Sequence, residues 1–409
     1  MSNVSPLNET LSDFLNYQSQ PGHFDEMHDA AGNQREHWSH VIKALEALGP
    51  EELQRRQQEI QNLLRENGVT YRPEGSPRDN EHPWQLDLLP YLITSEEWLG
   101  VERALLQRAE LFRLILEDIY GPGNAIKKGL IPAELLYTNP GFLRACVGVP
   151  VPSERYQMPF YAADITRRPD GSWCVISDRT QAPAGNGYAL ENRMLISRVL
   201  PSLFREAHVH RLATFFRAMR HTLQDMSWRQ GDDVRIVMLN PGANNESYFE
   251  HAYLANYLGY TLVEGGDLTV RDGKVRLKTL DRLQPVDVIM RRVEDHLCDP
   301  LSLDQNSLIG VAGLLQAARR QQVAIANPLG SGVIGNASLM TVLPELAKHF
   351  LGEELLMPSS ESWWCGHPDS LKHVLSNLST LVIKRLGPKN AAPAWQGQTM
   401  STAQLNELR

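Results

Sequence analysis

The fold is decided by the stretch Tyr161-Ala-Ala-Asp164-Ile-Thr-Arg167-Arg-Pro-Asp-Gly-Ser-Trp-Cys-Val-Ile-Ser-Asp178-Arg-Thr-Gln-Ala-Pro-Ala-Gly185-Asn-Gly187-Tyr-Ala-Leu-Glu191-Asn-Arg193. An apolar strand is joined here to a second strand across Arg168-Pro-Asp-Gly171, whose residue types favour a tight turn. A loop with two glycines then leads into a helix that we expect over residues 188–206. Acidic and amide side chains stand at the ends of these elements, so we expect this stretch to carry chemistry.

Downstream of this stretch, strands and helices alternate. The sequence predicts a hairpin turn at Arg271-Asp-Gly-Lys274. We expect strands at 234–239, 261–263, 286–291 and 323–326 and helices at 246–258, 307–319 and 337–350. Alternation of this kind predicts an α/β fold, with a mainly parallel sheet covered by helices, next to the antiparallel strands of the opening stretch.

The remainder of the chain divides into flanking regions. Residues 1–83 are predicted to form an N-terminal helical region, with one helix running from Pro50 to the Asn67-Gly68 stop signal. A polar, proline-rich connection after Arg72 marks the boundary, so the main domain is placed at 84–384. Helices are expected there at 95–120 and 132–137 and a last strand at 380–384. Residues 385–409 show little periodicity and are predicted to be a disordered or truncated tail.

Composition narrows the class of protein. The chain has 409 residues, 42% of them apolar and 22% charged, with a net charge of −8. It contains no basic stripe of the kind that binds nucleic acid and no apolar run long enough for a membrane helix. Four scattered cysteines indicate neither a zinc site nor a disulfide framework. We therefore expect a cytoplasmic protein without nucleic-acid or membrane partners.

The acids of the opening stretch are candidates for a metal site. Asp164, Asp178 and Glu191 could coordinate Mg²⁺, which prefers oxygen ligands and shares them with phosphates. Gly185 and Gly187 precede a helix and could offer backbone N–H groups to a phosphate. The alternatives are a capped turn, surface ion pairs and a simple loop, and spacing alone does not choose between these readings.

Polar residues also follow four successive strands of the predicted sheet. They are Asn245, Gly266, Asp267, Arg292 and Ser331. The local alternatives are a helix N-cap for Asn245, a tight turn for Gly266 and Asp267, and a surface ion pair for Arg292. The segment that holds Ser331 resembles a phosphate- or carboxylate-binding turn. In an open α/β sheet, ligands collect at the carboxyl ends of the strands, so the coincidence predicts one shared crevice.

Taken as a set, the motifs resemble the circularly permuted ATP-grasp proteins of type 2, relatives of the glutathionylspermidine synthase ligase domain. The resemblance spans about residues 84–384. It is carried by Gln107-Arg-Ala, Asp118-Ile-Tyr-Gly121, Gly141-Phe-Leu-Arg144, Ala163-Asp164, Asp178-Arg-Thr-Gln-Ala-Pro, Gly187-Tyr-Ala-Leu-Glu-Asn-Arg193, Tyr248-Phe-Glu-His-Ala-Tyr-Leu-Ala255, Val263-Glu-Gly-Gly-Asp-Leu-Thr-Val-Arg271, Cys298-Asp-Pro300, Gly330-Ser-Gly332 and Trp363-Trp-Cys-Gly366.

The resemblance implies ATP-dependent ligation of a carboxylate to an amine through an acyl-phosphate, with ATP and Mg²⁺ as cofactors. Asp164 and Asp178 match metal-side positions, Arg167 is a candidate phosphate contact, and Lys384 looks like a nucleotide-binding lysine. We therefore assign Arg167, Asp178 and Arg292 to catalysis. Asp164, Asp178 and Glu191 are assigned to the metal. ATP binding is assigned to Lys384, Gly185, Gly187, Asn245, Gly266, Asp267 and Ser331. A small peptide-like or amine substrate is expected from the resemblance alone.

Two departures from the family pattern favour an alternative function. A related branch carries Glu-Asp-Asn where this chain has Ser177-Asp178-Arg179, which replaces two metal ligands and adds a positive charge. The family also continues well beyond the Lys384 strand. A protein partner or a longer chain would then complete the ATP cleft. The alternative is a degenerate, non-catalytic ATP-grasp scaffold that binds a partner.

Overall fold

A computed structural model describes residue 17 and residues 19–71, 82–229, 231, 233–386 and 394–409. The predictions for residues 1–16, for most of the 72–83 connection and for the first part of the tail lie outside these residues. Within the described ranges, no helix combines the length and the apolar character that crossing a membrane requires.

The N-terminal region is built on helix α1 (Glu36–Glu66), which begins earlier than the predicted start at Pro50. The helix consists of two segments that meet at Gly49, where a φ of 74° interrupts the helical backbone. Pro50 fits the first turn of the second segment because that turn needs no N–H from it. The predicted stop at Asn67 and Gly68 is confirmed, since Asn67 is the C-cap. A short antiparallel pair follows, formed by β1 (Thr70–Tyr71) and β2 (His82–Pro83).

The long helix α2 (Ser95–Tyr120) has the predicted bounds. Its N-cap is Thr94, whose hydroxyl accepts a hydrogen bond from the backbone N–H of Glu97 at 3.2 Å. This bond satisfies one of the free donors at the start of the helix. Two short helices follow, α3 (Asn124–Lys127) and α4 (Ala133–Tyr137).

The opening stretch forms the predicted antiparallel hairpin of β3 (Ala162–Arg167) and β4 (Trp173–Arg179). Gly171 supplies the positive φ of 86° that the turn requires. The single helix predicted after the hairpin is two helices, α5 (Asn186–Val199) and α6 (Pro201–Glu206). The break lies at Leu200, because the ring of Pro201 disfavours helical backbone at the preceding residue.

The predicted parallel sheet is confirmed and has four strands in the order β11-β10-β5-β6. Side chains alternate between its two faces, as strand geometry requires. Residues such as Val237 and Ile289 join the core shared with α2, whereas Met238 and Met290 join the core on the other face. The strands are β5 (Ile236–Leu239), β6 (Thr261–Val263), β10 (Val288–Arg291) and β11 (Ala324–Ala326). The helices around them are α7 (Ala213–Asp225), α8 (Tyr248–Leu258) and α9 (Leu314–Arg319).

Between β6 and β10 lies an antiparallel three-stranded sheet, which includes the predicted hairpin turn. Its strands are β7 (Leu268–Arg271), β8 (Lys274–Lys278) and β9 (Leu283–Pro285). Helix α9 starts later than predicted because the preceding turns are fixed by Asp299, whose carboxylate accepts hydrogen bonds from the backbone N–H groups of Gly313 and Leu315 at 3.0 Å.

The C-terminal part differs most from the prediction. The helix predicted at 337–350 is a 3₁₀ segment, Ala337–Thr341, followed by α10 (Leu343–Phe350). The last predicted strand shortens to two residues, and residues 394–409, expected to lack regular structure, contain a strand that pairs with it and a capped helix. These elements are α11 (Pro368–Ser376), β12 (Val382–Ile383), β13 (Trp395–Gln396) and α12 (Thr402–Leu408).

Candidate functional site

The candidate site lies where the chain changes direction in the parallel sheet, at the strand ends where the sequence predicts a crevice. From β5 the chain passes through α8 to β6 on one side, and it later returns to β10 on the other side of β5. Ligands of open α/β sheets bind at such a switch point, outside the carboxyl ends of the strands. Asn240 follows β5 and Arg292 follows β10, and the backbone N–H of Arg292 donates to Leu239 O at 2.7 Å. Both polar residues therefore stand at the switch point.

Helix α8 adds Glu250 and His251 to this position. The Glu250 Oε1 atom accepts hydrogen bonds from the backbone N–H groups of Gly185 and Gly187, each at 3.1 Å. His251 Nδ1 donates to Asn240 Oδ1 at 3.1 Å. We call Gly185, Gly187, Asn240, Glu250, His251 and Arg292 the crevice cluster.

Several polar atoms of the crevice cluster have no hydrogen-bond partner among the described residues. They are Nε and Nη2 of Arg292, Oε2 of Glu250 and Nδ2 of Asn240. The side chains are nevertheless buried, with exposed fractions of 8%, 0% and 1%. Arg292 Nη1 alone is bonded, to Pro183 O. Burial lowers the pKa of Arg292, against the opposing effect of Glu250. Because a guanidinium stays protonated in proteins, the crevice holds a buried cation with free donors.

The loop that holds Gly185 and Gly187 has the predicted geometry for binding an anion, and a carboxylate of the protein itself occupies this position. Gly185 and Gly187 lie at the start of α5, where free N–H groups and the helix dipole favour negative charge. Glu250 takes both N–H groups. Phosphate binding by this loop stays a prediction, and it would require Glu250 to leave.

Asp178, predicted as catalyst and metal ligand, lies in a buried ion pair. Arg108 Nε donates to its Oδ1 and Arg108 Nη2 to its Oδ2, both at 2.7 Å. The Tyr161 hydroxyl adds a third hydrogen bond at 2.6 Å. Both carboxylate oxygens are thus occupied by donors from neighbouring elements, and the charge is neutralised by arginine.

The other two predicted metal ligands point elsewhere. Asp164 lies opposite Ser177 on the hairpin and forms an exposed ion pair with Arg179 Nη2 at 2.9 Å. Glu191 faces α1, where its Oε1 accepts a hydrogen bond from Asn67 Nδ2 at 2.6 Å. Among the described residues, no group of three or more His, Cys, Asp and Glu could hold a metal ion. The predicted magnesium cluster of Asp164, Asp178 and Glu191 is therefore not assembled, since each acid belongs to a different local contact.

Arg167, the predicted phosphate contact, lies outside the crevice. Its guanidinium is stacked between Phe24 and Trp173, with ring centroids at 4.6 and 4.1 Å. It also forms ion pairs with Glu26 and Glu97. These contacts hold the N-terminal segment and the start of α2 against the hairpin, which is a structural role.

Ser331 lies beside the crevice in a second buried network. Its Oγ accepts a hydrogen bond from Arg291 Nη2 at 3.0 Å, and its carbonyl accepts one from Thr180 Oγ1 at 2.8 Å. Asn327 Nδ2 donates to Thr180 O at 2.6 Å. The ends of β4, β10 and β11 therefore meet at this network. One crevice shared by all the predicted strand ends stays a prediction.

The remaining predicted positions make local turn contacts. Asn245 Oδ1 accepts a hydrogen bond from Ser247 N at 3.0 Å, ahead of α8. Gly266 O accepts one from Lys278 Nζ at 2.6 Å, and Asp267 Oδ2 accepts one from Glu264 N at 2.9 Å. Lys384 is exposed at the end of β12. These contacts fit the turn and cap alternatives, and a role in ATP binding stays a prediction.

Sequence reasoning did not assign two of the residues that organise the site. Glu250 and Arg108 are placed by contacts 63 to 70 residues distant in sequence. A glutamate or an arginine in a helix is also typical of a solvated helix face, so the residue type alone did not identify either of them. A signal was present for Glu250, because an acid in the first turn of a helix after a strand is suited to face neighbouring N–H groups.

Comparison with known proteins supports the family resemblance. The profile described as "Circularly permuted ATP-grasp type 2" matches residues 90–409. Uncharacterised proteins of Mycobacterium bovis and Mycobacterium tuberculosis are 37% identical over 393 residues, covering 94% of this chain and 44% of theirs. An uncharacterised Synechocystis protein is 33% identical over 365 residues, covering 89% of this chain and 76% of its own. A glutathione synthetase-like effector of Globodera pallida, solved in its apo form, gives a TM-score of 0.48 at 13% identity over 74% of this chain and 69% of its own.

The chain thus spans less than half the length of the mycobacterial relatives that are 37% identical to it. The family profile covers the hairpin, the parallel sheet and the C-terminal elements together. The fold class predicted from the sequence is confirmed by this match. We conclude that the chain belongs to the circularly permuted ATP-grasp type 2 family.

Proposed function

We propose that this chain is a ligase-type ATP-grasp scaffold that binds a small peptide-like or amine ligand but does not turn over ATP on its own. The observation that supports this proposal is the pairing of the predicted metal ligands. Arg108 neutralises Asp178 and Arg179 neutralises Asp164, so the cations of the protein stand where the family implies a divalent metal. A cytoplasmic location is part of the proposal.

The crevice cluster suits a zwitterionic ligand chemically. The free N–H groups of Arg292 and Asn240 could receive a carboxylate, and arginine binds carboxylates through two parallel hydrogen bonds. The free Oε2 of Glu250 could accept a hydrogen bond from an ammonium group. Because all three side chains are buried, ligand entry requires a rearrangement of the residues that cover them.

A second candidate is an active ATP-dependent carboxylate–amine ligase, favoured by family membership. The family implies ATP and divalent metal use in general. The mycobacterial relatives are more than twice as long as the matched region, so a longer chain or a protein partner could complete the ATP cleft. The residues described here do not fit a magnesium site, and we derive no phosphoryl-transfer step from them.

Calorimetry with ATP in the presence and absence of Mg²⁺ separates the two candidates. For the scaffold we expect no saturable, magnesium-dependent heat at millimolar Mg-ATP. The matched variant is Ser177→Glu with Arg179→Asn, which restores the Glu-Asp-Asn pattern at a half-buried and an exposed position of β4. Removal of the guanidinium frees Asp164, so magnesium-dependent binding is expected to appear in the variant. Binding by the unaltered chain would overturn the scaffold proposal and favour the ligase.

Ligand binding at the crevice is tested separately with reduced glutathione as the probe. We expect saturable binding that weakens at least about tenfold in Arg292→Met, because a charge-assisted, bidentate contact is lost. Arg292→Lys is the matched control: it retains the charge but not the planar fork, so an intermediate loss is expected. Equal affinity in all three proteins would exclude Arg292 from the ligand site.

A further inference from the structure

A basic cleft lies at the edge of the parallel sheet opposite the crevice cluster. It consists of two adjoining cavities of about 440 and 230 Å³, which share Arg229 and Pro285 in their walls. The walls come from the amino ends of the parallel strands, from β8 and β9, and from the turn before β11. We call this feature the amino-edge cleft. Its walls include Arg229, Lys274, Arg276, Pro285, Gln321 and Gln322.

Positive charge dominates the amino-edge cleft, although the chain as a whole carries −8. Among the described residues that line the cleft, the cations are Arg229, Arg235, Lys274, Arg276 and Arg282, against the acids Asp233 and Asp287. A local excess of this kind attracts anions electrostatically.

One of the two acids is already neutralised. Asp287 Oδ2 lies 3.0 Å from Arg229 Nη2 and also accepts a hydrogen bond from the backbone N–H of Arg235 at 2.8 Å. In the described part of the chain, Lys274 and Arg276 take part in no ion pair. Two cations of the cleft are thus free to meet an external anion.

These two cations are positioned by a rigid strand. In β8, Lys274 and Arg276 are two residues apart and therefore project from the same face. Val275, between them, is completely buried in the core on the opposite face. The strand is paired on both sides, with β7 and with β9. Little backbone order would have to be gained on binding, which favours affinity.

We propose that the amino-edge cleft binds the phosphate chain of a small phosphorylated molecule. The cavity volume falls in the range of small-molecule sites, and several cations on one wall suit a polyanion better than a single carboxylate. Arginine forks bind phosphate oxygens in pairs, and the amides of Gln321 and Gln322 add neutral donors. The site is independent of the function proposed above, since it lies at the other edge of the sheet.

The probe is pyrophosphate, measured by calorimetry at low ionic strength, where screening of the cations is weak. We expect saturable binding with one site per chain. Arg276→Ala and Lys274→Ala should each weaken it at least about tenfold, since each removes a charge-assisted contact. Lys372→Ala, an exposed lysine on α11, is the matched control and should bind like the unaltered chain.

The outcomes are decisive. Absence of saturable binding overturns the proposal. Binding that Arg276→Ala and Lys274→Ala leave intact also overturns it, because the anion would then bind elsewhere. An equal loss of affinity in Lys372→Ala overturns it as well, because such a loss indicates a nonspecific charge effect. Arg292→Met distinguishes this site from the function proposed above. If pyrophosphate bound in the crevice cluster, its affinity would fall in Arg292→Met and would not change with substitutions in β8.

Discussion

Two ion pairs that involve the β3–β4 hairpin differ in burial, and this difference decides how strongly each affects the stability of the protein. The pair of Arg108 and Asp178 has side-chain exposures of 1% and 2%, whereas the pair of Arg179 and Asp164 has exposures of 49% and 39%. Water screens the exposed pair, so its contribution to stability is small. Removal of one partner of the buried pair leaves a charge without compensation in the interior.

Asp178→Ala should therefore destabilise the protein strongly. We expect a loss of about 3–5 kcal/mol in the free energy of unfolding, because Arg108 would remain buried and unpaired. Asp164→Ala removes a carboxylate that lies 2.9 Å from its arginine in an exposed pair, and it should cost less than about 1 kcal/mol. Urea denaturation of both variants measures the difference. Similar losses in both would show that the buried arginine finds another partner.

His251 predicts how stability depends on pH. Burial, with a contribution from the Arg292 cation, lowers the pKa of His251 to about 3. The unfolded chain then takes up a proton below pH 6.5, while the folded protein does not until the pH nears 3. Stability should consequently fall as the pH drops through this range, with a contribution from His251 of about 2 kcal/mol at pH 5.

The comparison of unaltered protein with His251→Gln isolates this contribution, because the other titrating groups are shared. The variant should lose less stability between pH 7.5 and pH 5 in urea denaturation. The carboxylate of Glu250 lies 3.7 Å from His251 Nε2 and acts in the opposite direction. A steeper acid loss in the variant would mean that Glu250 dominates and that the folded protein binds the proton.

At this scale the sequence indicated which residues are special but not how they are paired. Gly187, Asp178 and Arg292 were singled out from the sequence, and each takes part in a buried polar contact. The ligand-binding and catalytic roles expected of them stay predictions. The partner of Asp178 lies 70 residues earlier on α2, and sequence spacing carries no signal of that approach. A carboxylate at a strand end can bind a metal ion or pair with an arginine. For Asp178, its burial beside Arg108 shows that it pairs with the arginine.

Among the elements, α5 and α8 approach closely at Gly187. A β-carbon at this position would lie 2.8 Å from Glu250 Cγ and 2.9 Å from Glu250 O. Gly187→Ala should accordingly push the two helices apart and cost about 1–3 kcal/mol by overpacking. Gly266→Ala is the matched control, since no atom lies within 4 Å of its β-carbon, and it should change stability by less than about 0.5 kcal/mol.

Thermal or urea denaturation of the two glycine variants provides the measurement. A second effect is expected only at Gly187, because a shift of Glu250 releases the N–H groups at the start of α5. Backbone amide signals of Gly185 and Gly187 in NMR should move in Gly187→Ala and stay in place in Gly266→Ala. Unchanged amide signals would show that the helices absorb the methyl group without moving Glu250.

Elements with a strong pattern were predictable, but the ends of several of them were not. Buried apolar strands alternating with helices identified the parallel sheet, and α2 kept its predicted bounds. Errors arose where local chemistry overrides periodicity: Pro201 divides one predicted helix and Asp299 delays the start of α9. The apolar run around β12 predicted a longer strand, whereas its partner β13 gave no signal because it has only two residues.

At the scale of the whole molecule, the N-terminal region shares a core with the body. Ile60 and Leu64 of α1 pack in one cluster with Leu195 of α5 and Leu203 of α6. Trp84 Nε1 also donates to Asn192 Oδ1 at 2.9 Å. The division of the chain at residue 83 stays a prediction, but these contacts connect α1 physically to the helices that follow the hairpin.

Ile60→Ala tests whether this shared core stabilises the whole protein. Ile60 is fully buried, so truncation to alanine should leave a cavity and cost about 2–5 kcal/mol. If α1 and α5 unfold together, hydrogen exchange of the α5 amides should accelerate along with that of α1, although the substitution lies in α1 alone. Leu106→Ala on α2 removes a side chain that is 65% exposed and should leave both helices unaffected. Faster exchange confined to α1 would contradict the shared core, because it would mean that α1 opens on its own while the body stays folded.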